Sequence, residues 1–328
     1  MLPLERMVRF FDTVDDNWTS PVADVIAARW SGHSGLVRCI RASANYVFHV
    51  KGEERDSILR FNHVEERSRT GLQAEVDILQ HLIAKGYPVN QPLPSSAGRW
   101  VETVETDLGG FHAVMFTQLP GEHIDLEDMS VSRLQRWGRA LSELHHAAGD
   151  GPLEQRPSLA DRLANIRDDL LEADPDYERA YDRAMEQLLV LAQDEDTCGL
   201  IHFDFELDNI CWDDDQFAVL DFDECCTGPM AADIAYALRD LSEDRQGVVN
   251  RDDPRFHTFI AGYRSMRPIT DAELDQLPLM MQVHDLLSCI GLRQFLGTDA
   301  PDDEPDWAVS LRKRLGEKQA LLHDMLTA

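Results

Sequence analysis

Apolar side chains recur along this chain with two different periods, and the change of period divides it. Leu4, Met7, Val8, Phe10 and Phe11 fall on one helical face within residues 1–17. Residues 36–41 and 46–50 then alternate as two strands around a tight link at 42–45, and a polar turn at 51–56 leads to a third strand at 57–61. Residues 73–84 return to helical spacing and stop at Lys85 and Gly86. Strands at 101–105 and 111–117 follow, the last closed by Pro120 and Gly121. From about residue 130 the period is helical: Leu134, Trp137, Leu141 and Leu144 line one face of residues 132–145. Similar stretches lie near 157–172, 174–194, 231–243, 253–265, 271–296 and 305–326, with a loop at 150–152 and an acidic connector at 297–305. There is no internal repeat or low-complexity tract.

One interruption of the helical half carries chemistry. His202, Asp204 and Asn209 stand in H-x-D-x-x-x-x-N spacing, and Asp221, Phe222 and Asp223 follow twelve residues after Asn209. Between them, residues 210–212 and 217–220 read as two short strands joined by the polar residues Asp213, Asp214, Asp215 and Gln216. A hairpin there returns Asp221 to the neighbourhood of Asn209. Asp204 can then orient and deprotonate an attacking hydroxyl, while Asn209 and Asp221 can offer hard oxygen ligands that hold Mg²⁺ against nucleotide phosphates. Singly, each of these is an ordinary polar residue of an acidic protein; it is the whole pattern that is specific.

The segment resembles the catalytic centre of the aminoglycoside phosphotransferase and choline kinase superfamily. Protein kinases carry H-R-D-x-x-x-x-N and D-F-G; here no Arg follows the His, and Asp223 stands where D-F-G has Gly. The resemblance implies Asp204 as catalytic base, with Asn209 and Asp221 as metal ligands. Gly228 to Ala235 is similar to the family's G-D-P-x-x-D-L-A segment, and its Asp233 reads as a structural anchor of the following helix. The implied fold is α+β and protein-kinase-like. A small N-terminal lobe, residues 1–119, has a five-stranded antiparallel sheet and one helix; a larger, mostly helical lobe, residues 120–328, is catalytic and substrate-binding. The implied donor is ATP with Mg²⁺.

The N-terminal half departs from the kinase pattern. No G-x-G-x-x-G is present; Ser43, Ala44 and Asn45 occupy the corresponding strand–loop–strand position and resemble the S-x-N loop of small-molecule branches, though a plain turn reads the same way. Arg60 stands where the resemblance implies a Lys, with Glu75 fifteen residues on as its ion-pair partner. The alternative is a pair of ordinary surface charges. Arg keeps the positive charge in a planar fork that grips phosphate oxygens, and GTP stays open as donor. Residues 116–119, with Thr117 and Leu119, form the expected hinge that reads the base through backbone groups.

Composition then narrows the partners. A hydrophobic share of 43% and a charged share of 28% are those of a globular protein, and 328 residues suffice for two cores. No apolar run of membrane-spanning length occurs, and the N-terminus carries charge without a secretory pattern, so a cytoplasmic location with no membrane partner is expected. The net charge of −29 argues against a nucleic-acid partner, which needs a positive footprint. Six cysteines without a C-x-x-C pair point to reduced thiols rather than a zinc site. Glu206, Asp208, Asp223 and Glu224 add carboxylates around the centre. Either they form a pocket for an amine-bearing alcohol, of aminoglycoside, choline, ethanolamine, homoserine or amino-sugar type, or Asp223 binds a second metal and the others face water. His284 and Asp285 read as a buried polar pair. The expected activity is phosphoryl transfer to a small hydroxylated acceptor by a monomer or homodimer. A protein Ser/Thr kinase of the bacterial stress-response type is one alternative, disfavoured by the lack of an A-P-E-terminated activation loop; a non-catalytic nucleotide-binding module is the other.

Overall fold

The computed structural model describes residues 3–31, 33–42, 45–194, 196–241, 249–297 and 304–327. Ser43 and Ala44 and most of the acidic connector lie outside the described residues; so do residues 242–243 of the helix expected at 231–243, which ends at Ala237 and gives way to a short turn at Arg239–Leu241. The chain packs as two units. One comprises Met1–Gln80, Asn90–Leu119 and Gly291–Ala320; the other comprises His81–Val89, Pro120–Ile290 and Leu321–Ala328.

In the first unit, α1 (Leu4–Phe11) and α2 (Pro21–Ala27) precede β1 (His33–Ala42), β2 (Tyr46–Gly52) and β3 (Ser57–His63). Then come α3 (Arg69–Ala84), β4 (Pro92–Leu93), β5 (Glu102–Thr106) and β6 (Gly109–Thr117). The strands form one antiparallel sheet in the order β1-β2-β3-β6-β4, with β5 also on β6. Five of these six strands show in the apolar alternation. The sixth, β4, has two residues and begins with a proline, too little for any period to register, and α2 is likewise short.

Aromatic rings build this unit's core. Phe10 of α1 lies 4.1 Å from Tyr46, which stacks on Phe61 at 5.2 Å, and Phe61 meets Phe111 edge-on at 5.5 Å. Offset and edge-on pairs of this kind add to the gain from burial. Leu4, Met7 and Phe10, at helical spacing, seat α1 in that cluster.

The second unit is mostly helical: α4 (Val131–Ala148), α5 (Leu159–Asn165), α6 (Arg167–Ala173) and α7 (Glu178–Leu191) come first. After β7 (Cys198–Ile201) the hairpin β8 (Ile210–Asp213) and β9 (Gln216–Val219) forms as the pattern predicts. The chain continues through β10 (Cys226–Pro229), α8 (Ala231–Ala237), α9 (Pro254–Arg264), α10 (Asp271–Leu274) and α11 (Leu277–Leu296), whose last residues from Gly291 onward belong to the first unit, as does α12 (Asp306–Thr327) up to Ala320. The stretch at 271–296 is broken because Pro278 fits only the first turn of a helix, so α11 must start anew at Leu277. β7 and β10 pair antiparallel, Ile201 opposite Cys226, a contact that four-residue strands do not announce. No helix among the described residues is long and apolar enough to cross a membrane, and none of the six cysteines forms a disulfide.

The tightest helix contact is between α4 and α9. A Cβ on Gly138 would sit 1.9 Å from the Phe259 carbonyl oxygen, and one on Gly262 would sit 1.9 Å from that of Gln135. Reciprocal glycines let the two backbones touch, with Trp137 edge-on to Phe259 at 4.9 Å beside them. Gly138→Ala is therefore expected to destabilise by about 1–3 kcal/mol through overpacking, despite alanine's better helix propensity. Urea unfolding checks this; a midpoint at or above that of the wild type would mean that the helices can separate freely.

Candidate active site

The loop after β7 leaves the sheet with buried N–H groups that need acceptors. Asp233, in the first turn of α8, supplies them: Oδ2 accepts from the His202 N–H at 2.7 Å and Oδ1 from the Phe203 N–H at 2.7 Å. His145 of α4 donates from Nε2 to Asp233 Oδ2 at 3.1 Å, and its Nδ1 accepts from the Tyr263 hydroxyl of α9 at 2.8 Å. Burial pushes that hydroxyl up to about 12, so it remains a donor. Asp233 thus ties the loop to α8 and α4. The anchoring holds Phe203 at φ +70°, a left-handed conformation rarely adopted by a bulky side chain, directly before Asp204.

His202 carries the constraint onward. Its Nδ1 accepts from the Asp204 N–H at 3.3 Å, which leaves Nε2–H to donate to the Leu220 carbonyl at 3.1 Å. Its ring packs edge-on against Phe222 at 4.5 Å. The hairpin register pairs Ile210 with Val219, and the Leu220 N–H donates to the Asn209 carbonyl at 3.0 Å. The hairpin therefore brings Asp221 back beside Asn209, as the spacing predicts, with Asp221 itself at φ +66°.

Around this frame the side chains converge. The Asn209 amide nitrogen donates to the Asp204 carbonyl and to Asp204 Oδ2, both at 2.9 Å. Its Oδ1, a hard oxygen, is left as its remaining polar atom. Arg239, just after α8, donates from Nη1 to Asp204 Oδ1 at 3.4 Å and pairs through Nη2 with Glu206. Among the described residues no group of three or more His, Cys, Asp or Glu side chains is arranged to hold a metal ion alone. Mg²⁺ needs no such cage: it takes one or two carboxylates and completes its shell with water and substrate phosphates. Asn209 and Asp221 fit that requirement by donor chemistry.

The remaining carboxylates have different surroundings. Glu224 is paired with Arg162 of α5, whose guanidinium also lies 4.2 Å over the Phe203 ring and donates to the Glu224 carbonyl at 2.7 Å. Arg156 donates to the Asp223 carbonyl and, at 2.7 Å, to that of Cys225. Two arginines thus clamp the turn at 223–225. Asp223 is buried, and Asp208 is exposed. His284 and Asp285 lie adjacent on α11, with the His284 ring 4.7 Å from Tyr236.

In the sheet unit, Arg60 and Glu75 form an ion pair whose side chains are 6% and 1% exposed, which removes the surface-charge alternative. Phe116 lies beneath the Arg60 guanidinium at 5.1 Å. Asn45 is buried and accepts from Asn62 at 2.7 Å. The Thr117 hydroxyl accepts from the Gln91 N–H at 3.0 Å, and Leu119 is half-buried. Ser43 is outside the described residues. The side chains that sequence reasoning missed are His145, Arg156, Arg162 and Arg239. They act over long separations, and no local spacing marks them.

Residues 39–269 match the model of the phosphotransferase enzyme family. The chain belongs to that family. Amicoumacin kinase of Bacillus subtilis is 25% identical over 273 residues, 80% of this chain and 81% of that one. Homoserine kinase of Methylobacillus flagellatus is 28% identical over 233 residues, 67% of each chain. A solved amicoumacin kinase in complex with AMP-PNP and Ca²⁺ shares the fold, with a TM-score of 0.71 at 22% identity over 90% of this chain and 92% of that one. This phosphotransferase is a small-molecule kinase with an alcohol group as acceptor.

Asp233→Asn keeps the shape but removes the charge and turns an amide nitrogen toward an N–H group. Breaking a buried, hydrogen-bonded pair of this kind is expected to cost about 3–5 kcal/mol, together with activity. Chemical denaturation alongside a transfer assay measures both; a loss within about 1 kcal/mol, inside the range of a weak pair, would show that the loop holds itself.

Proposed function

We propose that this phosphotransferase moves the γ-phosphoryl group of ATP, with GTP open as donor, to a hydroxyl of a small amine-containing acceptor. The observation that carries this reading is the arrangement at Asp204. Its carboxylate is oriented by Asn209 through Oδ2, while Oδ1 shares one cationic group with Glu206. The first oxygen is fixed and the second is the one that takes a proton from an acceptor hydroxyl once that cationic group gives way; the neighbouring acid offers an ammonium group its counter-charge. The kinship with homoserine kinase, whose named acceptor carries both an amino group and a hydroxyl, supports the same class.

In this mechanism Asp204 orients the hydroxyl for in-line attack and accepts its proton as the bond to phosphorus forms. His202 and Asp233 keep the loop from rotating the carboxylate away. Asn209 and Asp221, with Asp223 as a further candidate, would hold Mg²⁺, which would supply charge neutralisation at the nucleotide phosphates. In the sheet unit Arg60, held by Glu75, offers its fork to phosphate oxygens. Asn45, Ser43 and the Thr117–Leu119 segment complete the nucleotide contacts in this reading. Glu206 and Asp208 belong to the acceptor side. Glu224 contributes there by charge, since its carboxylate is already engaged by Arg162.

Mg²⁺-dependent release of ADP or GDP over a panel of aminoglycosides, amino alcohols, amino sugars, homoserine and a generic protein tests this. Asp204→Asn is expected to lower acceptor-stimulated release by about 10²–10⁴-fold, the usual contribution of a positioned base, with nucleotide binding retained. Near-normal turnover would remove Asp204 as the base, and stimulation by the protein alone would move the acceptor to a polypeptide. Asp221→Ala is expected to abolish the Mg²⁺ dependence of nucleotide affinity, read by titration calorimetry with and without the metal. An unchanged dependence would take Asp221 out of the metal site.

A further inference from the structure

Arg239 has the most consequential place of any residue that the motif does not contain. It opens the short turn Arg239–Leu241 directly after α8, the helix whose Asp233 pins the backbone of His202 and Phe203. The element that fixes the catalytic loop therefore also delivers a guanidinium to it. That group reaches two carboxylates at once: Nη1 to Asp204 Oδ1 at 3.4 Å and Nη2 to Glu206. Asp204 Oδ2 is oriented by Asn209, and Arg239 stands on Oδ1, the oxygen left facing away from that contact and read here as the proton acceptor. A fixed cation there would compete with the reaction.

The contact is built to be exchanged. The three side chains retain 25% exposure for Arg239, 39% for Asp204 and 27% for Glu206, so parting them uncovers no core. The bond to Asp204 is at the long end of hydrogen bonding. A pair this exposed biases an equilibrium by only about two- to fivefold, which an incoming cation can match. A primary ammonium has three N–H donors and can satisfy the same two carboxylates that the guanidinium bridges.

We propose that Arg239 is a positioning and specificity-determining residue: its guanidinium holds the place of the acceptor's ammonium group between Asp204 and Glu206, and an amine-bearing acceptor displaces it on binding. Acceptor binding then does two things at once. It neutralises Glu206 with the substrate's own charge, and it clears Asp204 Oδ1 for the hydroxyl. A neutral alcohol, or water, does not displace the arginine and finds the base occupied. This inference rests on the reading of Asp204 as base and Glu206 as acceptor-side acid, and it adds how an amine is preferred over a neutral alcohol.

The first test does not need turnover. Thermal melts of the full chain are recorded with increasing ethylammonium chloride, with sodium chloride and tetramethylammonium chloride at matched ionic strength. Wild type and Arg239→Lys are expected to show a saturable stabilisation by ethylammonium alone. Arg239→Gln, with no resident cation, is expected to reach it at about two- to fivefold lower concentration, and Glu206→Gln to lose it. An Arg239→Gln response equal to or weaker than wild type would overturn the proposal, as would an undiminished response in Glu206→Gln. If Arg239→Gln does not fold, the Glu206→Gln comparison decides alone.

The second test uses an acceptor identified by nucleotide release. Arg239→Gln is expected to lower KM for the amine acceptor and to raise acceptor-independent nucleotide hydrolysis, with Arg239→Lys restoring both. A fall in kcat at constant KM would show that the arginine supports the chemical step instead. If no acceptor is turned over, the reading of the enzyme's acceptor class fails, while the melts still decide the placeholder.

Discussion

Everything at the loop that carries Asp204 depends on one buried carboxylate. Asp233 is fully enclosed, yet it keeps its charge satisfied by two backbone N–H groups and the His145 imidazole. An unpaired carboxylate in that position would be prohibitively costly, and an unpaired pair of backbone N–H groups nearly so. Each therefore requires the other. The consequence reaches beyond stability, because the N–H groups belong to the two residues before Asp204. Satisfying them forces Phe203 into a left-handed conformation, and that conformation sets the direction in which Asp204 leaves the loop. His145 and Tyr263 extend the same chain into α4 and α9, whose backbones touch at Gly138 and Gly262. The orientation of Asp204 is thus tied to the packing of two helices.

The second organising fact is how an acidic protein manages charge near its reactive group. Acidic residues outnumber basic ones by 60 to 31, and the loops on either side of the hairpin are rich in them. The structure answers with arginine in particular. Arg156 and Arg162 bind the backbone carbonyls of the 223–225 turn, and Arg162 also pairs with Glu224 and covers Phe203. A planar fork with five donors can serve a carbonyl, a carboxylate and an aromatic face together, which a lysine ammonium cannot. The same logic holds at Arg60, where a guanidinium reaches Glu75 while lying over Phe116. Substituting Arg for Lys at that position therefore does not merely conserve a charge; it fixes the charge in a plane.

What the sequence made legible follows from where the information lies. The hairpin was readable because its two short strands and acidic turn are contiguous, and because Asn209 and Asp221 flank it. The antiparallel sheet was readable because alternating strands such as 46–50 and 111–117 bury one face and so show a period of two. β4, α2 and the β7–β10 pair are too short for a period. Arg60 with Glu75 was recoverable because the pair spans one strand and one helix at a familiar separation. Arg156, Arg162 and Arg239 were not, since their partners lie roughly thirty to seventy residues away and arginines elsewhere in this chain serve as ordinary surface charges. His145 ends the apolar stretch at 132–145 and is buried; its partners Asp233 and Tyr263, far away in sequence, give that burial its purpose.

These two facts divide the labour of the site. Its backbone is held by charge buried beyond exchange: Asp233 and His145 are sealed from solvent, and His202 locks the loop to Leu220. Its side-chain charges are held by pairs that solvent still reaches, as at Asp204, Glu206 and Arg239. Buried pairs resist change because removing one partner strands the other; exposed pairs can swap partners at small cost. Both kinds of charge meet at Asp204, whose backbone is pinned while its carboxylate stays in an exchangeable pair. An exposed charge such as that at 239 can change without disturbing the buried layer of Asp233, His145 and His202 that holds the backbone before Asp204. That separation gives a physical reason why one catalytic frame can serve kinases named for acceptors as different as amicoumacin and homoserine.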